Sequence, residues 1–190
     1  MRKVCTAVLS ILGLVALAQL SSAPAEAAKS SEPIKIALTE SVGQRITAHV
    51  AGEALKNADY KVEYVPVDTA RQFEELAQGN IHAQPEVWTD TADTAYGAAV
   101  AAGDMIVLGP LGLKQKSVVK VAWKLMERKW PGAVKMLRSM NFASTHRDAL
   151  MREVETNGRD VEAVVSEWMA THRRVWTRWN ASVGNWMKVK

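Results

Sequence analysis

Residues 62–96 read VEYVPVDTARQFEELAQGNIHAQPEVWTDTADTAY, and this stretch decides the fold. Apolar residues alternate over 60–65 and predict a strand. Asp68 is a good N-cap for a helix, and Gly79 lies just past its end. Residues 81–87 predict a second strand. A strand, a helix and a strand in this order are typical of a βαβ unit with parallel strands.

The same alternation continues on both sides of this stretch. We predict further strands at 34–38 and 105–108, and further helices over 43–56 and from a cap at Thr89 or Asp90 to about Ala102. The fold class is therefore α/β, with a mainly parallel sheet flanked by helices. Ligands of such sheets bind beyond the carboxyl ends of the strands.

The pattern changes after Leu113 to a helical C-terminal half. Helices are predicted over 117–129, over 132–140 after Pro131, over 145–155 with Ser144 as N-cap, and from Asp160 to about Asn180. No strand is predicted between Val121 and Asn180.

Six of the seven tryptophans lie in this half. A largely apolar stripe recurs at the three- and four-residue spacing of a helix. Its members are Val161, Val164, Val165, Trp168, Met169, His172, Val175, Trp176 and Trp179. We interpret it as a core stripe, with a ligand box as the alternative. Trp186 lies outside it and is interpreted as a surface anchor or tail contact.

The first 28 residues have the pattern of an export signal. Arg2 and Lys3 precede an apolar run over 4–20, and small residues over 23–28 predict cleavage near Ala28. A membrane anchor is the alternative, although the run is somewhat short for a bilayer. The only cysteine, Cys5, lies in this segment. The mature chain is therefore expected to have no disulfide and no thiolate metal site.

Charge is unevenly distributed along the chain. Residues 29–113 carry twelve acidic and six basic side chains, whereas residues 114–190 carry seven acidic and sixteen basic ones. We interpret the basic half as a solvated helical surface and expect no nucleic-acid partner. The alternative is a basic exported protein that binds anionic surfaces.

No catalytic motif is present. The four histidines are scattered without metal-ligand spacing, and the sequence has no Gly-x-Ser-x-Gly elbow and no phosphate loop. We expect no enzymatic activity, no cofactor and no metal site. His82, on a predicted strand, is interpreted as a packed or edge residue, with a ligand role as the alternative.

Trp88 follows a predicted strand and precedes a predicted helix. A quaternary ammonium donates no strong hydrogen bond, so aromatic faces bind it through cation–π attraction of roughly 0.5–2 kcal/mol each. Helix N-termini at 39–44 and 89–91 would offer N–H groups to a carboxylate on the same ligand. The alternative is that Trp88 only packs beneath a helix.

Several segments resemble the first lobe of the periplasmic proteins that deliver glycine betaine and choline to ABC transporters. They are IALTESVGQRITAH at 36–49, GNIHAQPEVWT at 79–89 with Tyr96, VLGPLGL at 107–113, and the helices at 129–142 and 161–179. The most specific piece is Gln84–Trp88. The resemblance implies a lobe of the type II periplasmic-binding-protein fold, with Trp88 as one ring of an aromatic box.

The resemblance also implies a periplasmic location, an ABC permease as partner, and a quaternary ammonium ligand such as glycine betaine, choline, carnitine or proline betaine. The expected ligand-binding residues are Trp88, Thr39, Glu40, Ser41, Gln44, Glu86 and Thr89.

The chain departs from the family in two places. The first binding turn, at 38–44, lacks the tryptophan that many relatives carry there. The chain also passes from Leu113 to Lys120 where relatives insert a second lobe. We therefore expect residues 29–190 to form a single lobe, with its sheet part at 29–113 and its returning helices at 114–190.

Losing two or three ring contacts removes about 2–5 kcal/mol, which lowers a micromolar affinity to about the millimolar range. Two alternatives follow from the missing lobe. The chain could be a non-transport interaction module or a degenerate paralogue, or two copies could form a homodimer that rebuilds the cleft.

Overall fold

The protein is described here by a computed structural model that covers residues 31–91, 93–115 and 117–181. The predicted export signal with Cys5, and the predicted anchor Trp186, lie outside the described residues. Within the described part, no helix is both long enough and apolar enough to cross a bilayer.

Five strands form one mixed sheet in the order β2-β1-β3-β5-β4. The strands are β1 (Ile34–Leu38), β2 (Val62–Pro66), β3 (Ala83–Trp88), β4 (Met105–Pro110) and β5 (Val118–Trp123). β1 pairs in parallel with β2 and with β3, whereas β5 is antiparallel to both β3 and β4. Four strands therefore run in one direction, which confirms the predicted α/β class with a mainly parallel sheet.

Helices cover both faces of the sheet. They are α1 (Val42–Lys56), α2 (Gln72–Gln78), α3 (Asp93–Ala101), α4 (Met126–Lys129), α5 (Pro131–Ser139), α6 (Ser144–Glu155), α7 (Val161–Thr171) and α8 (Arg173–Asn180). A larger apolar cluster joins α1 to the C-terminal helices, and a smaller one joins α2 to the other face. The sheet thus has a core on each side.

Local sequence signals account for several of these boundaries. The Asp68 carboxylate accepts a hydrogen bond from the Ala70 N–H at the short 3-10 turn Thr69–Arg71. α2 ends at Gly79, whose φ of 75° is left-handed. Asp160 caps α7 by accepting from the Ala163 N–H.

The predicted helix at 117–129 is wrong over most of its length, because residues 118–123 form β5. Lys120 lies within the apolar run of this strand, and its side chain is buried. Its ammonium donates to the carbonyls of Arg138 (3.2 Å) and Met140 at the end of α5. Burial lowers the pKa of Lys120 to about 8.

Other predicted boundaries also need correction. The long helix predicted from Asp160 to Asn180 is broken at His172 into α7 and α8. Ser144 does not cap α6, because its hydroxyl accepts from the Lys114 N–H instead. Neither Thr89 nor Asp90 caps α3, since both bond to Ser117 across the sheet and α3 begins at Asp93.

The predicted core stripe is confirmed. Its buried members in the larger cluster are Val161, Val164, Val165, Trp168, Met169, Trp176 and Trp179. His82 is a packed residue as interpreted, with ring centroids 5.4 Å from Trp123 and 4.7 Å from Trp130. Its Nδ1 accepts the Lys35 N–H at 3.0 Å, which fixes a neutral ring beside the sheet.

The His82 environment predicts a loss of stability in acid. Burial, with the nearby charges of Lys129 and Lys35, lowers the pKa of His82 to about 4. The unfolded chain therefore binds a proton near pH 6.5 and the folded chain only near pH 4. As pH falls from 6.5 to 4, this residue should remove up to about 3 kcal/mol of unfolding free energy.

Urea unfolding of the wild type and of His82→Asn across pH 4–7.5 measures this effect. Asn offers an oxygen acceptor to the Lys35 N–H but does not titrate. The variant should lack this part of the acid dependence, and equal slopes in the two proteins would show that His82 does not cause it.

Candidate functional site

An open cavity of about 690 Å³ lies at the carboxyl edge of β1, β2 and β3. It is lined by Ser41, Gln44, Thr69, Ala70, Gln72, Phe73, Trp88, Thr91, Thr94 and Ala95. These residues come from the segments that follow three neighbouring parallel strands. The cavity therefore occupies the edge where α/β sheets of this type bind ligands.

Trp88 ends β3 with a half-buried indole ring at this cavity. The register of β3 against β5 shifts between Gln84 and Val87. Gln84 therefore faces α2, where its amide donates to Gln72 at 3.1 Å, while Glu86 faces α1. Glu86 and Trp88 are two residues apart and lie on one side of the strand, where the Trp88 Nε1–H donates to the Glu86 carboxylate at 2.9 Å.

The Glu86 side chain is fully buried and its carboxylate accepts from three further donors. Arg147, on α6, donates Nε–H at 3.0 Å and Nη2–H at 2.7 Å, and the Thr47 hydroxyl donates at 2.6 Å. The Arg147 side chain is itself about 11% exposed. This bidentate pair compensates a charge that would be very unfavourable alone in the interior.

Gly43, in the first turn of α1, makes room for this ion pair. A Cβ atom at this position would lie 1.8 Å from Nη2 and 2.5 Å from Cζ of Arg147. Any side chain at Gly43 would therefore displace the guanidinium from Glu86. The glycine serves close approach here, since its position is within a helix.

The turn that leads into α1 is held by its own hydrogen bonds. The Thr39 hydroxyl donates to Gln44 Oε1 at 2.6 Å, and Gln44 Nε2 donates to the Glu86 carbonyl at 2.9 Å. Ser41 is the N-cap of α1 but makes no side-chain cap bond. The first-turn N–H groups thus remain without a capping side chain, beside residues that line the cavity.

The seven expected ligand-binding residues do not all meet in one place. Ser41, Gln44 and Trp88 line the main cavity. Thr39 and Glu40 line a neighbouring cavity of about 460 Å³. Glu86 lies at the Nε1 edge of the Trp88 ring, with its carboxylate occupied by protein donors. The Thr89 hydroxyl donates to the Ser117 carbonyl at 3.0 Å.

Sequence reasoning named three of the ten residues that line the cavity, and it also missed Arg147. Phe73 and Gln72 line the cavity from α2, which follows β2 at the same sheet edge, so their position after Asp68 was an available signal. Arg147 gave no such signal, because 61 residues separate it from Glu86. No group of three or more His, Cys, Asp or Glu side chains suited to a metal ion occurs within the described residues.

A fold with this open aromatic-lined cavity at the carboxyl edge of its sheet defines a lobe of the type II periplasmic-binding-protein class. The sequence model described as the substrate-binding domain of ABC-type glycine betaine transport systems matches residues 32–117 and 110–171. The chain therefore belongs to this family. The two matched ranges overlap at 110–117, where the chain passes from β4 to β5.

Solved structures of low identity share the fold. The chain is similar to lactococcal OpuAC in its closed, glycine betaine-bound form (TM-score 0.66, 12% identity, 78% of this chain and 99% of that chain). A choline-binding protein in complex with choline gives a TM-score of 0.72 at 8% identity, covering 80% and 92% of the two chains. ProX of Borrelia burgdorferi, a glycine betaine/L-proline-binding protein, gives 0.70 at 10%, covering 78% and 96%.

The close approach at Gly43 predicts an unusual response to alanine. Gly43→Ala should lower the free energy of unfolding by about 3 kcal/mol, because the Cβ atom displaces Arg147 from a buried carboxylate. Helix propensity alone would favour the alanine by about 1 kcal/mol. Urea unfolding at pH 7 measures the sign and the size.

Gly97→Ala is the matched control, because Gly97 lies in α3 with no atom within 4 Å of an added Cβ. It should raise stability by about 0.5–1 kcal/mol. If Gly43→Ala were also stabilising, the ion pair would not need this glycine.

Proposed function

We propose that this chain is the substrate-binding component of an ABC importer for glycine betaine, choline or a related quaternary ammonium compound. The observation that supports it best is the half-buried Trp88 ring at the cavity on the carboxyl edge of the sheet. Family membership supports the transport role, and the relatives named above bind glycine betaine or choline.

The cavity chemistry fits a ligand with a cationic head and, for betaine, a carboxylate. Trp88 offers an aromatic face to trimethylammonium, and Phe73 adds a second ring to the lining. The uncapped first turn of α1 offers N–H groups and a favourable dipole to a carboxylate. Ser41 adds a hydroxyl at the same end of the helix. Glu86 supports the site from behind Trp88.

We further propose that the protein works as a single lobe after export to the periplasm, with its signal cleaved near Ala28. In the structure, β4 and β5 are joined by residues 111–117, where a second lobe would have to be inserted. A lobe without its counterpart supplies fewer ring contacts and has no hinge to close. Binding at about millimolar strength is therefore expected, and closure as a transport signal is not.

The short connection between β4 and β5, which leaves no room for a second cleft wall, favours a second candidate function, an interaction module that no longer transports. Capture of a betaine-type ABC permease by the purified protein would count against this candidate. A folded protein that captures no permease would favour it.

Calorimetric titration of the mature protein with glycine betaine and choline tests the ligand proposal. Saturable binding is expected, with a Kd of about 1 mM. Trp88→Leu should weaken it by about 2- to 30-fold, because a cation–π contact of 0.5–2 kcal/mol is lost.

Trp123→Leu is the control, since Trp123 is also half-buried on the sheet but lies outside the cavity lining. It should leave the Kd within about twofold of the wild type once circular dichroism has shown that it folds. No heat of binding at roughly ten times the expected Kd would overturn the ligand proposal.

A further inference from the structure

The contact between Trp88 and Glu86 carries an inference about selectivity, and it rests on the proposed function. We propose that Glu86 is a positioning residue that fixes the Trp88 ring and strengthens its attraction for a cation. The cavity would then discriminate a quaternary ammonium from a neutral ligand of the same shape. Arg147 and Thr47 hold the carboxylate in place for this task.

The hydrogen bond between Trp88 and Glu86 has a charged acceptor. Indole Nε1–H can only donate, and its acceptor here is a carboxylate oxygen of Glu86 at 2.9 Å. A hydrogen bond to a charged acceptor is shorter and stronger than a neutral one. It draws the N–H proton toward the carboxylate and leaves more electron density on the ring. Since cation–π attraction follows the negative potential of the ring face, a cation on Trp88 is held more tightly.

The contact between Glu86 and Trp88 is shielded from water on the side of the carboxylate. Glu86 has no exposed surface, so water does not screen its effect on the indole. The same bond removes the rotational freedom of a ring that is otherwise half-exposed. Trp88 is therefore both oriented and polarised before a ligand arrives.

Arg147 neutralises Glu86 close to the Trp88 ring. Its guanidinium carbon lies over the Trp88 ring at 5.9 Å from the centroid, within the range of a cation–π contact, although Arg147 is not among the residues that line the cavity. It compensates the charge of Glu86 at 2.7 Å. A ligand in the cavity therefore contacts the polarised ring of Trp88. The positive charge of Arg147 offsets the direct long-range attraction between the Glu86 carboxylate and the ligand cation.

A purely structural role for Glu86 makes a different prediction. If Glu86 only kept the strand folded, its replacement would weaken all ligands of the same shape equally. Polarisation of Trp88 acts on the positive charge alone. The useful measurement is therefore the ratio of affinities for two isosteric ligands.

Glycine betaine and 3,3-dimethylbutanoate are suitable probes, because they differ by nitrogen against carbon at the centre of the trimethyl group. Their Kd values should be measured for the wild type, Glu86→Gln and Glu86→Gln/Arg147→Gln. The double variant replaces the ion pair with two neutral amides, so it carries the test if the single variant does not fold. Glu53→Gln/Lys56→Gln is the matched control, a partly exposed acid–base pair on α1.

The wild type should prefer betaine over the isostere whose trimethyl head is uncharged, and this preference should fall about threefold in both Glu86 variants. It should stay unchanged in the Glu53/Lys56 control. A preference that is equal in all variants, with saturable betaine binding that depends on Trp88, would overturn this inference alone. Absence of betaine binding to the wild type would overturn the proposed function and this inference with it.

A second measurement needs no change at the ion pair. The indole proton of Trp88, assigned by its disappearance in Trp88→Phe, should resonate downfield of the position found for solvent-exposed indoles. A Trp88 proton at the exposed position would show that the charged hydrogen bond is absent in solution, and it would overturn the inference.

Discussion

A carboxylate with no exposed surface lies near the end of the third strand, and its charge has to be compensated inside the protein. Arg147 does this from α6, across 61 residues of sequence. The pair therefore connects the strand that carries the ligand edge to the helices that return from the C-terminal half. Gly43 leaves the space for the guanidinium, and Thr47 adds a hydroxyl to the same carboxylate. Both come from α1, so three elements meet at one buried charge.

The candidate site depends on this arrangement. Trp88 is the ring that a quaternary ammonium would contact, and its only polar atom donates to Glu86. The turn before α1 is joined to the same place, since the Gln44 amide donates to the Glu86 carbonyl. A change in the ion pair would thus act on the aromatic face through the Glu86 carboxylate. In this view Glu86 acts on ligands through Trp88.

Local patterns predicted the parts of the fold that depend on neighbouring residues. The first four strands, the left-handed end of α2 at Gly79 and the position of Trp88 at the sheet edge follow from alternation, capping and turn chemistry. The other parts of the fold and of the site depend on contacts between residues that are distant in sequence. The strand β5 differs from the predicted helix, and only the folded protein supplies the carbonyls of α5 that accept from its buried Lys120. Arg147 was missed because its partner is distant in sequence.

The central claim is that Glu86 and Arg147 act as one unit. A double-mutant cycle on the free energy of unfolding tests it with Glu86→Gln, Arg147→Gln and the double variant, measured by urea unfolding at pH 7. Each single change leaves a buried charge without its partner and should be destabilising by about 3–5 kcal/mol. The double variant should be much less destabilised than the sum, with a coupling energy of about 2–3 kcal/mol. Additive effects, within about 0.5 kcal/mol, would contradict the account.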